Sequence, residues 1–176
     1  MSIYLTADTH FGHKNIIKFA KRPFETVKEM DQELIHRWNS KVRPNDDIYH
    51  LGDFSFSDEG RMHEILLQLN GRIHMIWGNH DHRLRNDANL RNFFAWTRYY
   101  HEINYNREKF ILFHYPMFEW NKMHRGSYHC FGHVHGSTLG RGGRSMDVGV
   151  DVHDYYPVHI DEVVDTLKDK EIFTHH

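Results

Sequence analysis

A single cysteine, Cys130, leaves the chain unable to form an internal disulfide or a cysteine-rich zinc module, and a lone thiol fits a reducing compartment. The cytoplasm is the expected setting. Neither charge sign is in excess: 22 Lys and Arg against 24 Asp and Glu give a net charge of −2 and a pI near 6.8. No bulk field therefore draws the protein onto nucleic acid or an anionic membrane, and any phosphate recognition has to be local. No apolar run is long enough to span a bilayer, and the chain enters a strand at Ile3 without a basic leader, so neither a membrane anchor nor a secretion signal is expected. Low-complexity tracts, internal repeats and dividing linkers are also missing. With 176 residues and 39% hydrophobic content, one domain over residues 1–176 is expected.

What the chain does have in abundance is histidine, at 18 residues, of which the terminal His175 and His176 are set aside. Residues 2–7 read as a strand that delivers Asp8-Thr9-His10, followed by a loop with a short helix at 15–19. Thr26 caps the next helix with Glu29 completing a capping box, and Val27, Met30, Leu34, Ile35 and Trp38 share one face. A strand at 47–51 ends in Gly52-Asp53. A helix from Ser57 carries the apolar stripe Met62, Ile65, Leu66 and Leu69 and stops at Asn70-Gly71. The β-rich run 73–77 ends at Gly78, where a sharp turn presents Asn79, His80 and Asp81 at the strand's carboxyl end. Residues 96–105 and 109–113 read as a hairpin followed at once by His114. After a loop at 115–126, a short strand at 128–131 ends in Gly132-His133-Val134-His135. A glycine-rich turn at 140–143 leads to a strand at 145–152, and a last helix at 162–168 packs through Val163, Val164 and Leu167.

Five expected strands thus end within a residue or two of a metal-capable side chain: Asp8 and His10, Asp53, Asn79 and His80, His114, and His133 and His135. If those ends share one sheet edge, their side chains converge, because ligands of open α/β sheets bind at the carboxyl ends of the strands. Carboxylates, imidazoles and an amide oxygen without thiolate suit manganese, iron, zinc or nickel better than calcium or magnesium. With His80 not counted as a ligand, seven candidate donors exceed the needs of one ion. Two divalent metal ions sharing a carboxylate are therefore expected, manganese first among them, and such pairs clamp the attacking and leaving oxygens in displacement at phosphorus.

In this order, Asp8-x-His10, Gly52-Asp53, Gly78-Asn79-His80-Asp81, the lone His114 and Gly132-His133-x-His135 resemble the five signature blocks of the calcineurin-like metallophosphoesterases. The chain length resembles the small single-domain bacterial and phage members, whose pattern the motifs at 8–13 and 146–151 echo. The resemblance implies an α/β fold of the four-layer α/β/β/α sandwich type. It implies one metal on Asp8, His10, Asp53 and His135 and another on Asp53, Asn79, His114 and His133, with Asp53 as the bridge. It further implies attack on a phosphodiester or phosphomonoester by a metal-bridging hydroxide, with His80 as general acid, a role that typically contributes roughly a hundred- to ten-thousand-fold. One departure stands out. The protein Ser/Thr phosphatase branch continues its Gly-Asp block to an Asp that orients the catalytic His and then an Arg that holds phosphate, whereas Phe56 and Ser57 stand at those positions here.

Around this set, His13, Asn15, Arg22, Arg83 and Trp120 are candidates for substrate contact. His50 and His74 lie inside strands and read as structural, Cys130 as buried packing, and Asp147 and Asp151 as turn or edge residues. The cluster Phe93, Phe94, Trp96, Tyr99 and Tyr100 reads as core rather than as a stack for bases. The expected substrate is a small phosphate ester or nucleotide. A nucleic-acid substrate, and with it a nuclease or RNA-end-processing phosphatase, is the nearest alternative. A non-catalytic protein-binding scaffold of the same fold would have lost ligands or the acid, and none is lost.

Overall fold

The computed structural model describes residues 1–138 and 142–174; Gly140, in the expected glycine-rich turn, and the terminal His175 and His176 lie outside the described residues. Strands β1 (Ile3–Thr6), β2 (Asp47–His50) and β3 (Arg72–Ile76) run parallel at the centre of a five-stranded sheet. It is completed by β4 (Trp96–Arg98), parallel to β3, and by β9 (Val158–His159), antiparallel to β1. A second sheet has the order β5 (Tyr100–Tyr105), β6 (Glu108–Phe113), β7 (Tyr128–Phe131), β8 (Ser145–Asp147), and only β5 and β6 pair antiparallel.

Strand alternation decides which side chains meet which layer. Ile48, Ile73 and Met75 face helices α2 (Val27–Lys41) and α3 (Glu59–Leu66), sharing a core with Met30, Leu34, Trp38, Met62 and Ile65. Their neighbours Leu5, Tyr49, Leu51 and Ile76 face the other way, onto Phe110, Leu112, Tyr128 and Cys130 of the second sheet. Helix α6 (Ile160–Leu167) packs beside β1 and β8 and adds Ile160, Val163 and Leu167 to this inner core. The outer face of the second sheet is covered at Ile111 by Trp120 and Met123, from a loop with one 3-10 turn at Met123–Arg125. The result is the expected α/β/β/α sandwich in a single domain, its last layer reduced to that loop.

Capping follows the sequence closely. Thr26 Oγ1 accepts from Glu29 N–H at 3.1 Å, while the Glu29 carboxylate accepts from Glu25 N–H at 2.8 Å. Helix α3 is capped by Asp58, whose Oδ1 accepts from Arg61 N–H, so it begins at Glu59, two residues later than the expected start at Ser57. The largest difference is the run 96–105. It is two strands, not one: the chain leaves the first sheet after Arg98 and joins the second at Tyr100, a sheet switch for which Arg98-Tyr99-Tyr100 carries no breaker. Of the aromatic cluster at 93–100 that the sequence reads as core, Phe94 is buried whereas Tyr99 and Tyr100 are exposed, so the core reading is corrected for those two. The expected strand at 145–152 stops at Asp147 and turns into a 3-10 helix at Val150–Val152.

Candidate metal centre

Because β1, β2 and β3 are parallel, their carboxyl ends share one edge, and β6 and β7 bring theirs to the facing edge of the second sheet. The ends are sewn together by main-chain bonds: Asp8 N–H to Gly52 C=O at 2.9 Å, His10 N–H to Asp53 C=O at 3.0 Å, and Gly132 N–H to His114 C=O at 2.9 Å. The backbone there is strained. Asp8, His10, Asp53, His133 and His135 all have positive φ, between 47° and 72°, where a side chain costs about 1–2 kcal/mol per residue. Strain of this kind persists where the surroundings over-determine it and clusters at functional sites. Glycine makes the close approach sterically feasible, since a Cβ on Gly78 would lie 2.3 Å from Asp53 Oδ1 and one on Gly132 2.5 Å from Asp8 Oδ2. Asp81 points away from His80 into this framework, accepting from the N–H groups of Asp53, Phe54 and Gly78 at 2.8, 2.8 and 2.7 Å.

Two groups of donors result. Ligand atoms of Asp8, His10 and His135 lie within 4.8 Å of one another, and so do those of Asp53, His114 and His133. Asp53 stands between them, with Oδ2 3.7 Å from His10 Nε2 and 3.6 Å from His114 Nε2. Its Oδ1 accepts the His80 N–H at 2.9 Å, and Asn79 Oδ1 lies 3.0 Å from His114 Nε2. Asp8, His10, Asp53 and His114 are buried, whereas Asn79, His80 and His133 are exposed, so the cluster has a buried floor and an open rim.

The donor set fits divalent cations on its own chemistry. Asp8 Oδ1 and both ring nitrogens of His10 are buried without a hydrogen-bond partner, and each such group carries a desolvation penalty of about 1–3 kcal/mol. His114 Nδ1 lies 2.7 Å from the Leu51 carbonyl, which only accepts, so Nδ1 carries the proton. Burial pushes His114 down to about 4, leaving the ring neutral at pH 7 with a lone pair on Nε2. That lone pair faces the oxygens of Asn79 and Asp53, and a shared cation satisfies all three. Burial, with the Asp53 and Asp147 carboxylates, pushes Asp8 well above the usual carboxylate range, and burial raises Asp53 as well. Bound cations invert that logic and favour the ionised carboxylates.

The other expected contacts divide. His13 stacks on Phe56, ring centroids 3.9 Å apart at 15°, and Phe56 in turn lies 4.8 Å from the His80 ring. Among the described residues no carboxylate bonds the His80 imidazole; the ring of Phe56, at the position of the missing Asp, backs it instead. Arg83 is exposed, donates to Ser57 C=O at 3.1 Å and lines a small cavity with Phe56 and His80. Asn15 is exposed in α1 (Lys14–Phe19). Two expectations are corrected. Trp120 is 8% exposed, donates to Ser127 C=O and packs on Ile111, so it is core and not a substrate wall. Arg22 is 4% exposed beneath the site with every N–H donor engaged by protein, leaving none for phosphate. Asp151, read as a turn residue, instead meets His135 Nδ1 at 2.7 Å. The only signal for it was the acidic spacing of the 146–151 motif. Beside His133 and His135 opens a groove of about 520 Å³, bounded on the far side by Phe19 and Lys21.

Fold and donors together define a class: α/β/β/α sandwiches that gather carboxylates and imidazoles, fit for divalent ions, at the ends of parallel strands. The chain belongs to the calcineurin-like phosphoesterase superfamily, whose domain profile matches residues 1–150. The family implies phosphate-ester hydrolysis with divalent metal ions. An uncharacterized protein of Methanocaldococcus jannaschii is 36% identical over 174 residues, covering 94% of this chain and 91% of that protein. The Gene 66 protein of Mycobacterium phage L5 is 34% identical over 90 residues, 48% of this chain and 43% of its own. Among solved structures, a protein of unknown function from Aquifex aeolicus shares the fold, with a TM-score of 0.76 at 24% identity over 94% of this chain and 99% of that one. No helix of the described residues is long and apolar enough to cross a membrane.

Proposed function

We propose that the protein is a dinuclear metal-dependent phosphoesterase that hydrolyses phosphodiester or phosphomonoester bonds of small or nucleotide-like substrates. The observation that carries this reading is the position of Asp53 Oδ2, 3.7 and 3.6 Å from the Nε2 atoms of two histidines that belong to different donor groups. Asp8, His10, Asp53 and His135 would hold one ion and Asp53, Asn79, His114 and His133 the other, with manganese first and iron, zinc or nickel as alternatives. Bound there, divalent ions would supply a nucleophilic water at neutral pH and neutralise charge on the phosphoryl oxygens. His80 is anchored through its backbone to Asp53, so its exposed ring is held at the rim, where it protonates the leaving oxygen. Phe56 and His13 form one wall of that position, and Arg83 lies at its outer end. A cytoplasmic setting agrees with Cys130, a buried free thiol pushed up to about 12 by burial.

The test is hydrolysis of a chromogenic phosphodiester and the matching monoester, with manganese and with a chelator. Turnover that requires the metal and disappears with the chelator supports the reading; turnover indifferent to the chelator, or none with any divalent metal, refutes it. A nuclease or RNA-end-processing phosphatase on the same centre is a second reading, favoured by one observation. Lys14, Lys18 and Lys21 are exposed along α1 and the turn after it, Lys21 lines the groove at His133 and His135, and no acidic residue occurs from 9 to 24. On that reading an oligonucleotide substrate shows a KM that rises steeply with salt, whereas a small ester does not.

A further inference from the structure

Arg22 and Asp151 lie 129 residues apart in sequence and form a two-pronged ion pair, Nε to Oδ1 at 2.7 Å and Nη2 to Oδ2 at 2.9 Å. The Arg22 side chain is fully buried and that of Asp151 5% exposed. A buried ion pair is a poor device for stability alone, because apolar side chains of similar volume often do as well or better. What this pair touches explains its presence. The same Asp151 Oδ2 lies 2.7 Å from His135 Nδ1; a carboxylate oxygen accepts, so Nδ1 carries the proton and Nε2 is left as the lone pair. On its other side Arg22 donates from Nη2 to the Asp8 carbonyl at 2.7 Å and from Nη1 to the Thr9 carbonyl at 2.9 Å. Those bonds grip the main chain where Asp8 and His10 are held at φ 57° and 50°. One side chain therefore ties Asp8 and His135 together from behind.

We propose that Arg22 and Asp151 are positioning residues for one metal site only, the one on Asp8, His10 and His135, and that they make the two sites unequal. The inference rests on the reading that these donors hold a metal ion. In the other group His114 is oriented by the neutral Leu51 carbonyl at 2.7 Å. A carboxylate behind a ligating imidazole fixes its tautomer and raises its basicity, and losing such a partner typically lowers metal affinity by about 10–100-fold.

Manganese titration by calorimetry, after chelator treatment, is run on the wild type, Asp151→Ala and Asp151→Asn, with melting temperatures taken in chelator to isolate the cost of folding. Wild type is expected to bind two equivalents; fewer than two would sink the dinuclear reading and this inference with it. Asp151→Ala should weaken one equivalent about 10–100-fold and leave the other within threefold, and at two equivalents per chain its electron spin resonance spectrum should show isolated manganese in place of a coupled pair. Asp151→Asn keeps an oxygen for the Nδ1 proton and for Arg22, so it should weaken the same equivalent by a smaller factor; this variant decides the matter if Asp151→Ala does not fold. Two intact sites in the wild type with both equivalents weakened alike, or neither weakened, would overturn the positioning role while leaving the dinuclear reading in place.

Discussion

Gly78→Ala isolates geometry from chemistry at the proposed centre. The backbone of Gly78 is not in the left-handed region, so a methyl group meets no torsional objection there, only a steric one. Its Cβ would lie 2.3 Å from Asp53 Oδ1, 2.6 Å from Asp53 N and 2.9 Å from His114 Cε1, against a comfortable limit of 3.4 Å. The shortfall at the carboxylate is 3.4 − 2.3 = 1.1 Å, and the second obstacle is main chain, which cannot swing aside. Asp53 or the Gly78 turn must therefore move by about an ångström, a displacement that can lower turnover by about 100-fold at a site that works by positioning. Overpacking of this kind costs about 1–3 kcal/mol of stability, so most of the protein should stay folded. Gly60→Ala is the control: it lies in α3, its nearest new neighbour is Asp58 Oδ1 at 3.5 Å, and the helix should gain about 1 kcal/mol with activity unchanged. The assay is kcat on a chromogenic phosphodiester with manganese, alongside a thermal melt of each variant. Gly78→Ala turning over within threefold of wild type would refute the close packing of Asp53 against the Gly78 turn as a requirement for function.

Asp53→Asn should weaken both metal equivalents together, because Oδ2 faces both donor groups; asparagine tolerates the positive φ of 59° there, so folding is preserved, and calorimetry showing two equivalents at wild-type affinity would disprove the bridge. His80→Ala should lower turnover on an alkyl or phenyl leaving group roughly a hundred- to ten-thousand-fold and much less on nitrophenyl; equal losses on both would exclude proton donation. His50, buried between Trp38 and Phe54 and pushed down to about 3 by burial, stays neutral in the folded chain while the unfolded chain takes up a proton near 6.5. Its contribution is therefore present above pH 6.5 and lost as pH falls, at roughly 1.4 kcal/mol per unit. Urea denaturation in chelator should show wild type losing about 2 kcal/mol more than His50→Gln between pH 6.5 and 5.0, and parallel pH profiles would contradict this.

The sequence alone determined much of this protein, and for a physical reason. Strand alternation and the Thr26 cap are local, so β1, β2, β3 and α2 could be read from neighbouring residues. The candidate donors were legible because each follows a strand end by a residue or two, and parallel strands put such ends on one edge whatever the details of packing. The glycines before Asp53, Asn79 and His133 marked the same places, since only a residue without a side chain leaves room for the carboxylates and imidazoles that crowd there.

Only the tertiary structure decided what depends on distance across the chain. The break between β4 and β5 has no glycine or proline to announce it; it follows from two sheets competing for one run of aromatic residues. Trp120 looked like a substrate wall until the far face of the second sheet required a cover for Ile111. Arg22 looked like a phosphate ligand because an arginine in a loop near a catalytic motif usually has free donors, yet five protein acceptors, two of them 129 residues away on Asp151, take them all. Residue type and spacing specify which atoms could bind a cation, while the partners that leave those atoms bare, bonded or strained come from segments remote in sequence, and burial brings them together only when the chain folds.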